Sequence, residues 1–177
     1  MLIVFSGLPG SGKTTLAREL AKKTGAVYLR IDTIEQAIRN ANTRLAEVGR
    51  SGYCVANELA ASNLDLGSVV VVDCVNPVAE SREAWRNVAL RAGVALLNIQ
   101  VICSDAVEHR RRVETRTVDV PGLTPPTWQS VMAHEYEVWD CAPFTLDTAT
   151  MSPAQAVAII VERLLPVDIQ TTSAAEH

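Results

Sequence analysis

The chain is poor in the residues that build metal clusters, disulfide frameworks and membrane spans. Its four cysteines, Cys54, Cys74, Cys103 and Cys141, are widely separated and form no C-x-x-C pair. That spacing argues against a metal site or a disulfide framework, and reads the cysteines as small core residues. His109, His134 and His177 share no metal-ligand spacing and read as ordinary polar residues. No apolar run is long enough to cross a bilayer. The N-terminus enters an apolar run at once, without a basic leader and cleavage site, so a cytoplasmic protein with no membrane partner is expected. Basic residues are outnumbered: 16 Lys and Arg face 20 Asp and Glu, for a net charge of −4. Long nucleic acid asks for a broad basic face, so that partner is disfavoured, although a local basic groove is compatible with this balance. No internal repeat or linker breaks the 177 residues, a length that suits one domain with a substantial core.

What the sequence does contain is concentrated near its start. GLPGSGKTT, residues 7–15, follows the short apolar run LIVF. Behind it, Leu16, Ala17, Leu20 and Ala21 recur at helical spacing, Lys22 and Lys23 occupy the last turn, and Gly25 can end the helix. Strand, glycine loop and helix in this order make Gly7-x4-Gly12-Lys13-Thr14 a complete phosphate-binding loop. Curled backbone at such a loop points several N–H groups inward, and the helix N-terminus adds partial positive charge. Gly7, Pro9, Gly10, Ser11, Gly12, Lys13, Thr14 and Thr15 are therefore the candidate nucleotide-binding residues. Lys13 supplies a mobile cation for the β- and γ-phosphates, and the Thr14 hydroxyl is a candidate ligand for Mg²⁺.

Strands and helices alternate through the rest of the chain. VYLRI (27–31) reads as a second strand, followed by helical segments at about 33–41 and 53–66, the latter ending at Gly67. The unbroken valines of SVVVVDCV (68–75) suit a strand buried on both faces. Residues 78–93 place Ala84, Trp85, Val88, Ala89 and Ala92 on one helical face. ALLNIQVIC (95–103) is a fourth strand, and SDAVEHRRRVETR (104–116) a helix capped by Ser104. The segment 117–128 is a Pro- and Gly-rich loop leading to a helix that carries Trp128, Tyr136 and Trp139. FTLDT (144–148) is a short fifth strand, and Ser152, Pro153 and Gln155 open a last helix that runs to Leu165 before Pro166. The expected fold is α/β: a five-stranded parallel sheet with helices on both faces, three layers in all. Ligands then bind outside the carboxyl ends of the strands, at the loop 7–15 and after Ile31 and Val72.

Other users of a phosphate loop leave marks that are missing here. There is no N-K-x-D or T-K-x-D for reading a guanine base, and no L-S-G-G-Q signature. The valine-rich strand ends in Asp73-Cys74, where water-activating ATPases usually place a glutamate. Small kinases remain. GLPGSGKTTLARELA, a second strand ending at Asp32, VVVVDCVNP, HRRRVETR and FTLDT together resemble the small phosphate-loop kinases related to chloramphenicol phosphotransferase, zeta toxins and polynucleotide 5′-hydroxyl kinase domains. The resemblance covers about residues 1–165, and only its phosphate loop is highly specific.

The resemblance implies roles for residues beyond the loop. Asp32 corresponds to an aspartate that orients and deprotonates the attacking hydroxyl. On sequence alone, Asp32 with Glu35 equally reads as a helix cap with its capping-box partner. Asp73 would support the Mg²⁺ shell or hold substrate, against a plain turn at Asp73-x-x-Asn76-Pro77. Arg112 and Arg116, four residues apart, would reach the phosphates from a lid at about 105–128, while Arg110 and Arg111 point elsewhere. The plainer alternative is a solvated basic face paired with Glu108 and Glu114. The implied kinase domain spans 1–166, with a flexible tail at 167–177, ATP and Mg²⁺ as cofactors, and a monomer or homodimer as the working form. A small hydroxylated metabolite, nucleoside or antibiotic is the leading acceptor, with a pocket expected near Arg39, Arg44, Arg50, Tyr53 and Asn57. A polynucleotide 5′-hydroxyl or sugar-nucleotide kinase is the enzymatic alternative, and an ATP-binding sensor without transfer is the other class.

Overall fold

The computed structural model describes residues 1–41, 48, 50–141 and 143–164. Five short strands, β1 (Leu2–Ser6), β2 (Val27–Arg30), β3 (Val70–Asp73), β4 (Leu96–Ile102) and β5 (Phe144–Asp147), form one sheet in the order β2-β3-β1-β4-β5. Every pairing is parallel. Parallel neighbours need a crossover, and the helices supply it: α1 (Lys13–Thr24), α2 (Ile31–Ala41), α3 (Ser51–Asp65), α4 (Ala79–Arg91), α5 (Ala106–Glu114), α6 (Trp128–Met132) and α7 (Pro153–Leu164). This is the expected three-layer α/β architecture.

The period of two along each strand divides the core into two layers. Ile3, Phe5, Val71, Ile99, Val101 and Leu146 pack with Leu16 and Leu20 of α1 and with Val157 and Ile160 of α7. Leu2, Val4, Val70 and Val72 face the other way, onto Ala56 and Ala60 of α3 and Trp85 and Val88 of α4. Valines buried on both faces explain why β3 reads as an unbroken apolar run. Trp85 is fully buried, so its truncation to Ala is expected to cost about 3–5 kcal/mol.

Several boundaries differ from the sequence reading, each for a local reason. Ile31 belongs to α2, because the ladder of β2 with β3 closes at the pair Arg30 and Asp73 and the helix begins at once. The cap of α5 is Asp105, whose carboxylate accepts from the Val107 and Glu108 amides, while the Ser104 amide is taken by Asp147 at 3.0 Å. The helix expected through Tyr136 and Trp139 stops at Met132. Beyond it, the Glu137 and Val138 carbonyls accept from Arg82 at 2.7 and 3.0 Å, and the Glu137 amide donates to the Pro77 carbonyl. Backbone groups so committed are unavailable to a helix. The Arg82 guanidinium lies over Tyr136 and Trp139, at 5.2 and 4.2 Å from their ring centres. Cys74 and Cys103 are buried as expected, whereas Cys54 and Cys141 are exposed. Ser152 and Gln155 form the anticipated capping box of α7. Arg44, the helix end at Leu165 with Pro166, and the tail 167–177 lie outside the described residues. No helix among the described residues is long and apolar enough to cross a membrane.

Candidate active site

The phosphate loop joins β1 to α1 across the carboxyl edge of the sheet, and its glycines are fixed by close neighbours. At Gly7, φ is 145° and an added Cβ would lie 2.3 Å from the Val101 carbonyl oxygen. At Gly10, φ is 82° and an added Cβ would meet Val113 Cγ2 at 2.5 Å. Both positions combine a backbone that L-residues rarely adopt with space that no side chain can occupy. Lys13 opens α1 and is buried, as is Ser11. Gly10, Gly12, Lys13, Thr14 and Thr15 share one cleft of about 460 Å³ with residues of α5 and the segment after it.

Helix α5 is stitched directly to this loop. The His109 ring, in the tautomer carrying its proton on Nε2, donates to the Pro9 carbonyl at 2.8 Å and packs edge-on against Trp128. Arg112 donates to the Thr148 hydroxyl at 2.7 Å and to the Thr148 carbonyl at 3.1 Å. The same hydroxyl donates to the Ser11 carbonyl at 2.8 Å. Arg112 therefore reaches the loop through Thr148, and also pairs with Glu108 at 2.8 Å.

The other arginines divide by environment. Arg116 lies beyond the end of α5, so helical spacing does not place it, yet it lines the same cleft and stands 3.8 Å from the Asp32 carboxylate. Arg111, expected to point elsewhere, also lines the cleft, held by Glu108 through two nitrogens at 2.6 and 2.7 Å. Arg110 forms the exposed pair with Glu114 that a solvated face would show. The hydrogen bonds from Arg111 and then Arg112 draw the Glu108 carboxyl down to a pKa of about 2.

At the ends of β2 and β3 three carboxylates surround one arginine that the sequence reading passed over. Arg30 is almost wholly buried. Its Nη1 donates to both carboxylate oxygens of Asp119 at 2.8 and 2.9 Å, and its Nη2 donates to Asp32 at 3.1 Å. Its Nε has no hydrogen-bond partner among the described residues; the Asp73 carboxylate lies 3.7 Å away. Burial pulls the guanidinium pKa down, but the hydrogen bond to Asp119 and the charges of Asp32, Asp73 and Asp119 more than reverse this, so Arg30 stays charged. Asp32 sits inside the first turn of α2 with its carboxylate on these arginines, rather than closing the helix as a cap. Asp73 is buried and accepts from the Tyr28 hydroxyl at 2.8 Å. Burial first, then the charge and hydrogen bond of Asp73, push the Tyr28 pKa far up, so the phenol keeps its proton.

Asn76 takes the structural half of the Asp73-x-x-Asn76 pair. It is fully buried at φ 53°, donates to the Ser6 hydroxyl at 3.0 Å, and accepts from Ser81 at 2.8 Å. Its amide donates to the Tyr53 hydroxyl at 3.0 Å. Of the residues expected at an acceptor pocket, Arg50, Tyr53 and Asn57 line a second cleft of about 330 Å³ with Pro77, Val78 and Ser81. Arg39 instead pairs with Glu35 on α2. Arg18, Arg30, Asp119 and Thr148 were not singled out by sequence, and His109 was read as an ordinary polar residue. An arginine two residues before Asp32 at a strand end was the one available signal.

Comparison with known proteins bears on the family and the fold. Residues 2–124 match the family model described as AAA domain. The "Putative adenylate kinase" of Pyrococcus furiosus is 31% identical over 143 residues, covering 71% of this chain and 78% of that protein. Threonine synthase-like 1 of Mus musculus is 27% identical over 186 residues and 99% of this chain, but the chain spans only 24% of that relative's length. Among solved structures, the APS kinase CysC of Mycobacterium tuberculosis, in complex with AMPPNP and APS, superposes with a TM-score of 0.69 at 20% identity, over 92% of this chain and 96% of that one. The likeness confirms the α/β phosphate-loop fold.

Proposed function

Because the chain belongs to the AAA-domain family of phosphate-loop proteins, we propose that it is a kinase that transfers the γ-phosphoryl group of ATP to a hydroxyl of a small molecule. The observation that carries this reading is the single cleft that joins Lys13 and Thr14 of the loop to Arg112 and Arg116, with Asp32 held beside Arg116. A loop that only stored nucleotide would have no use for a carboxylate and a set of guanidinium groups at its open side. The relatives and neighbours bearing kinase names support the same reading.

The residues present suit ATP and Mg²⁺. The loop leaves no room for side chains at Gly7 or Gly10, as a backbone cradle for phosphates requires. The Thr14 hydroxyl and the Asp73 carboxylate are the hard oxygen donors that would hold Mg²⁺. Magnesium, when bound, neutralises charge on the phosphates.

In the proposed reaction the acceptor oxygen attacks the γ-phosphorus, the bond to the β–γ bridging oxygen breaks, and ADP departs with that oxygen. The hydroxyl proton passes to Asp32. Lys13 holds the β- and γ-phosphates, and Arg112 and Arg116 match the charge spread over the moving group's oxygens. Arg30 aims the Asp32 carboxylate. Residues 105–128 act as the lid that keeps water, a competing acceptor, out of the cleft.

The test is a screen of acceptor pools with γ-labelled ATP: sugars and sugar acids, nucleosides, antibiotics, and 5′-hydroxyl oligonucleotides. Label on a small hydroxylated compound supports the proposal. Label on oligonucleotides alone moves the activity to a polynucleotide 5′-hydroxyl kinase. Nucleotide binding with no transfer to any pool points to a sensor.

A further inference from the structure

Asp119 is an anion held between two arginines of the cleft. Its carboxylate lies 2.7 Å from Arg18 Nη1 and bonds Arg30 Nη1 through both oxygens. The three residues come from different parts of the fold. Arg18 stands on α1 one turn after Thr14, Arg30 is the last residue of β2, and Asp119 is carried by the loop between α5 and α6. All three line the cleft that contains Lys13 and Thr14. Among the described residues lining it, Asp119 is the only carboxylate, set against Lys13 and five arginines.

A buried guanidinium requires anionic partners, and Arg30 has two that belong to the sheet edge, Asp32 and Asp73. Asp119 is the third, and its other partner, Arg18, is half exposed. A loop carboxylate held by one buried and one solvent-facing arginine has the chemistry of a ligand stand-in: two guanidinium groups converge on one pair of oxygens. The position also selects which ligand. The loop amides and Lys13 serve the nucleotide, whereas Arg30 holds Asp32, the group proposed to face the acceptor hydroxyl.

We infer that Arg18 and Arg30 form an anion subsite for the acceptor, filled by Asp119 until an acceptor carrying a phosphate, sulfate or carboxylate group displaces it. The inference rests on the kinase reading and narrows it: the acceptor has both a hydroxyl and an anionic group. The displaced Asp119 leaves its arginines to the ligand, and the loop reseats over it.

Arg30 is too buried to be a clean test, since its removal takes away the buried cation between Asp73 and Asp32, so Arg18 and Asp119 carry the experiment. Inorganic sulfate is titrated calorimetrically into the ADP-loaded wild-type chain, Asp119→Asn, and Asp119→Asn with Arg18→Ala. Asp119→Asn is expected to bind sulfate about tenfold more tightly than wild type, and the double variant to lose the gain, the scale of one charge-assisted hydrogen bond. Equal affinities in all three, or sulfate that only competes with ADP, overturn the subsite. In a second arm, γ-labelled ATP is offered with matched pairs: gluconate and glucose, nucleoside 5′-monophosphate and nucleoside. Label on the anionic members, with Arg18→Ala raising their KM about tenfold more than the KM for ATP, supports the inference. Label on the neutral members at equal or greater rate overturns it. No label anywhere, with the sulfate result as expected, removes the kinase reading while supporting the anion subsite.

Discussion

Arg30 and Asp119, 89 residues apart in sequence, are joined through both oxygens of the carboxylate at 2.8 and 2.9 Å. The pair ties the end of β2 to the loop that follows α5, and so couples the residue beside Asp32 to the segment above the phosphate loop. Partial burial raises the Asp119 pKa, but its hydrogen bond and charge contacts with Arg30, then Arg18, outweigh this and hold it below the usual carboxylate range. A depressed carboxylate pKa contributes stability above the unfolded value of about 3.9, which is lost as pH falls through the lower folded value. Hydrogen exchange of residues 115–127 should therefore be unchanged by protonation of this pair from pH 8 to pH 5. Release of the loop within that range would show that Asp119 is not held as described.

Glu108 is drawn down to about 2 by Arg111 and Arg112. By the same sign rule its link to the two arginines persists above about 4.3 and fades only as pH falls through about 2. Glu108→Gln should loosen both arginines. The expected outcome is a raised KM for ATP, measured at pH 7, with the melting temperature little changed because Arg111 is exposed.

Lys13→Ala should abolish most ATP affinity and leave the fold intact, since Lys13 opens α1 but lies at the cleft rather than in either core layer. Calorimetric titration with Mg·ATP and a melting curve check the two halves. Affinity near that of the unmutated chain would remove the loop from the account.

Gly10→Ala should destabilise the loop and α5 together. The added Cβ would meet Val113 at 2.5 Å, at a φ of 82°, and such backbone strain costs about 1–3 kcal/mol. A lower melting temperature with increased exchange of the α5 amides is the expected signature. The same melting temperature with unaltered exchange would mean that α5 does not rest on the loop.

Arg116→Ala should lower kcat more than it raises the KM for ATP, because a guanidinium that matches developing charge acts mainly in the transition state. Arg112→Ala should raise KM as well, since Arg112 also braces Thr148 against Ser11. Steady-state kinetics of the two variants separate the roles, and normal turnover by both would exclude the arginines from the chemistry.

The sheet and its helices were legible because each strand announces itself locally: valines buried on both faces, glycines after helices, a capping box at Ser152. The phosphate loop was legible for the same reason, its chemistry lying within nine consecutive residues. Arg30, Asp119, His109 and Thr148 were not, because their meaning lies in pairings across long separations, such as His109 on Pro9 and Arg112 through Thr148 on Ser11. The irregular course after Met132 was hidden too: Arg82 holds the Glu137 and Val138 carbonyls out of helical bonding, and nothing local to residues 133–139 reports that. Asp32 read equally as cap or base; its place inside α2 beside Arg30 and Arg116 is a tertiary fact.

The central claim, that Asp32 faces an acceptor hydroxyl and ATP supplies the phosphoryl group, is tested most directly by single-turnover transfer from saturating γ-labelled ATP in the wild-type chain and in Asp32→Asn. The account predicts that both bind Mg·ATP, that wild type passes the label to the acceptor, and that Asp32→Asn does so about 10² times more slowly or worse, the scale of a positioned base. Equal transfer rates, or label released only as inorganic phosphate by both, would contradict it.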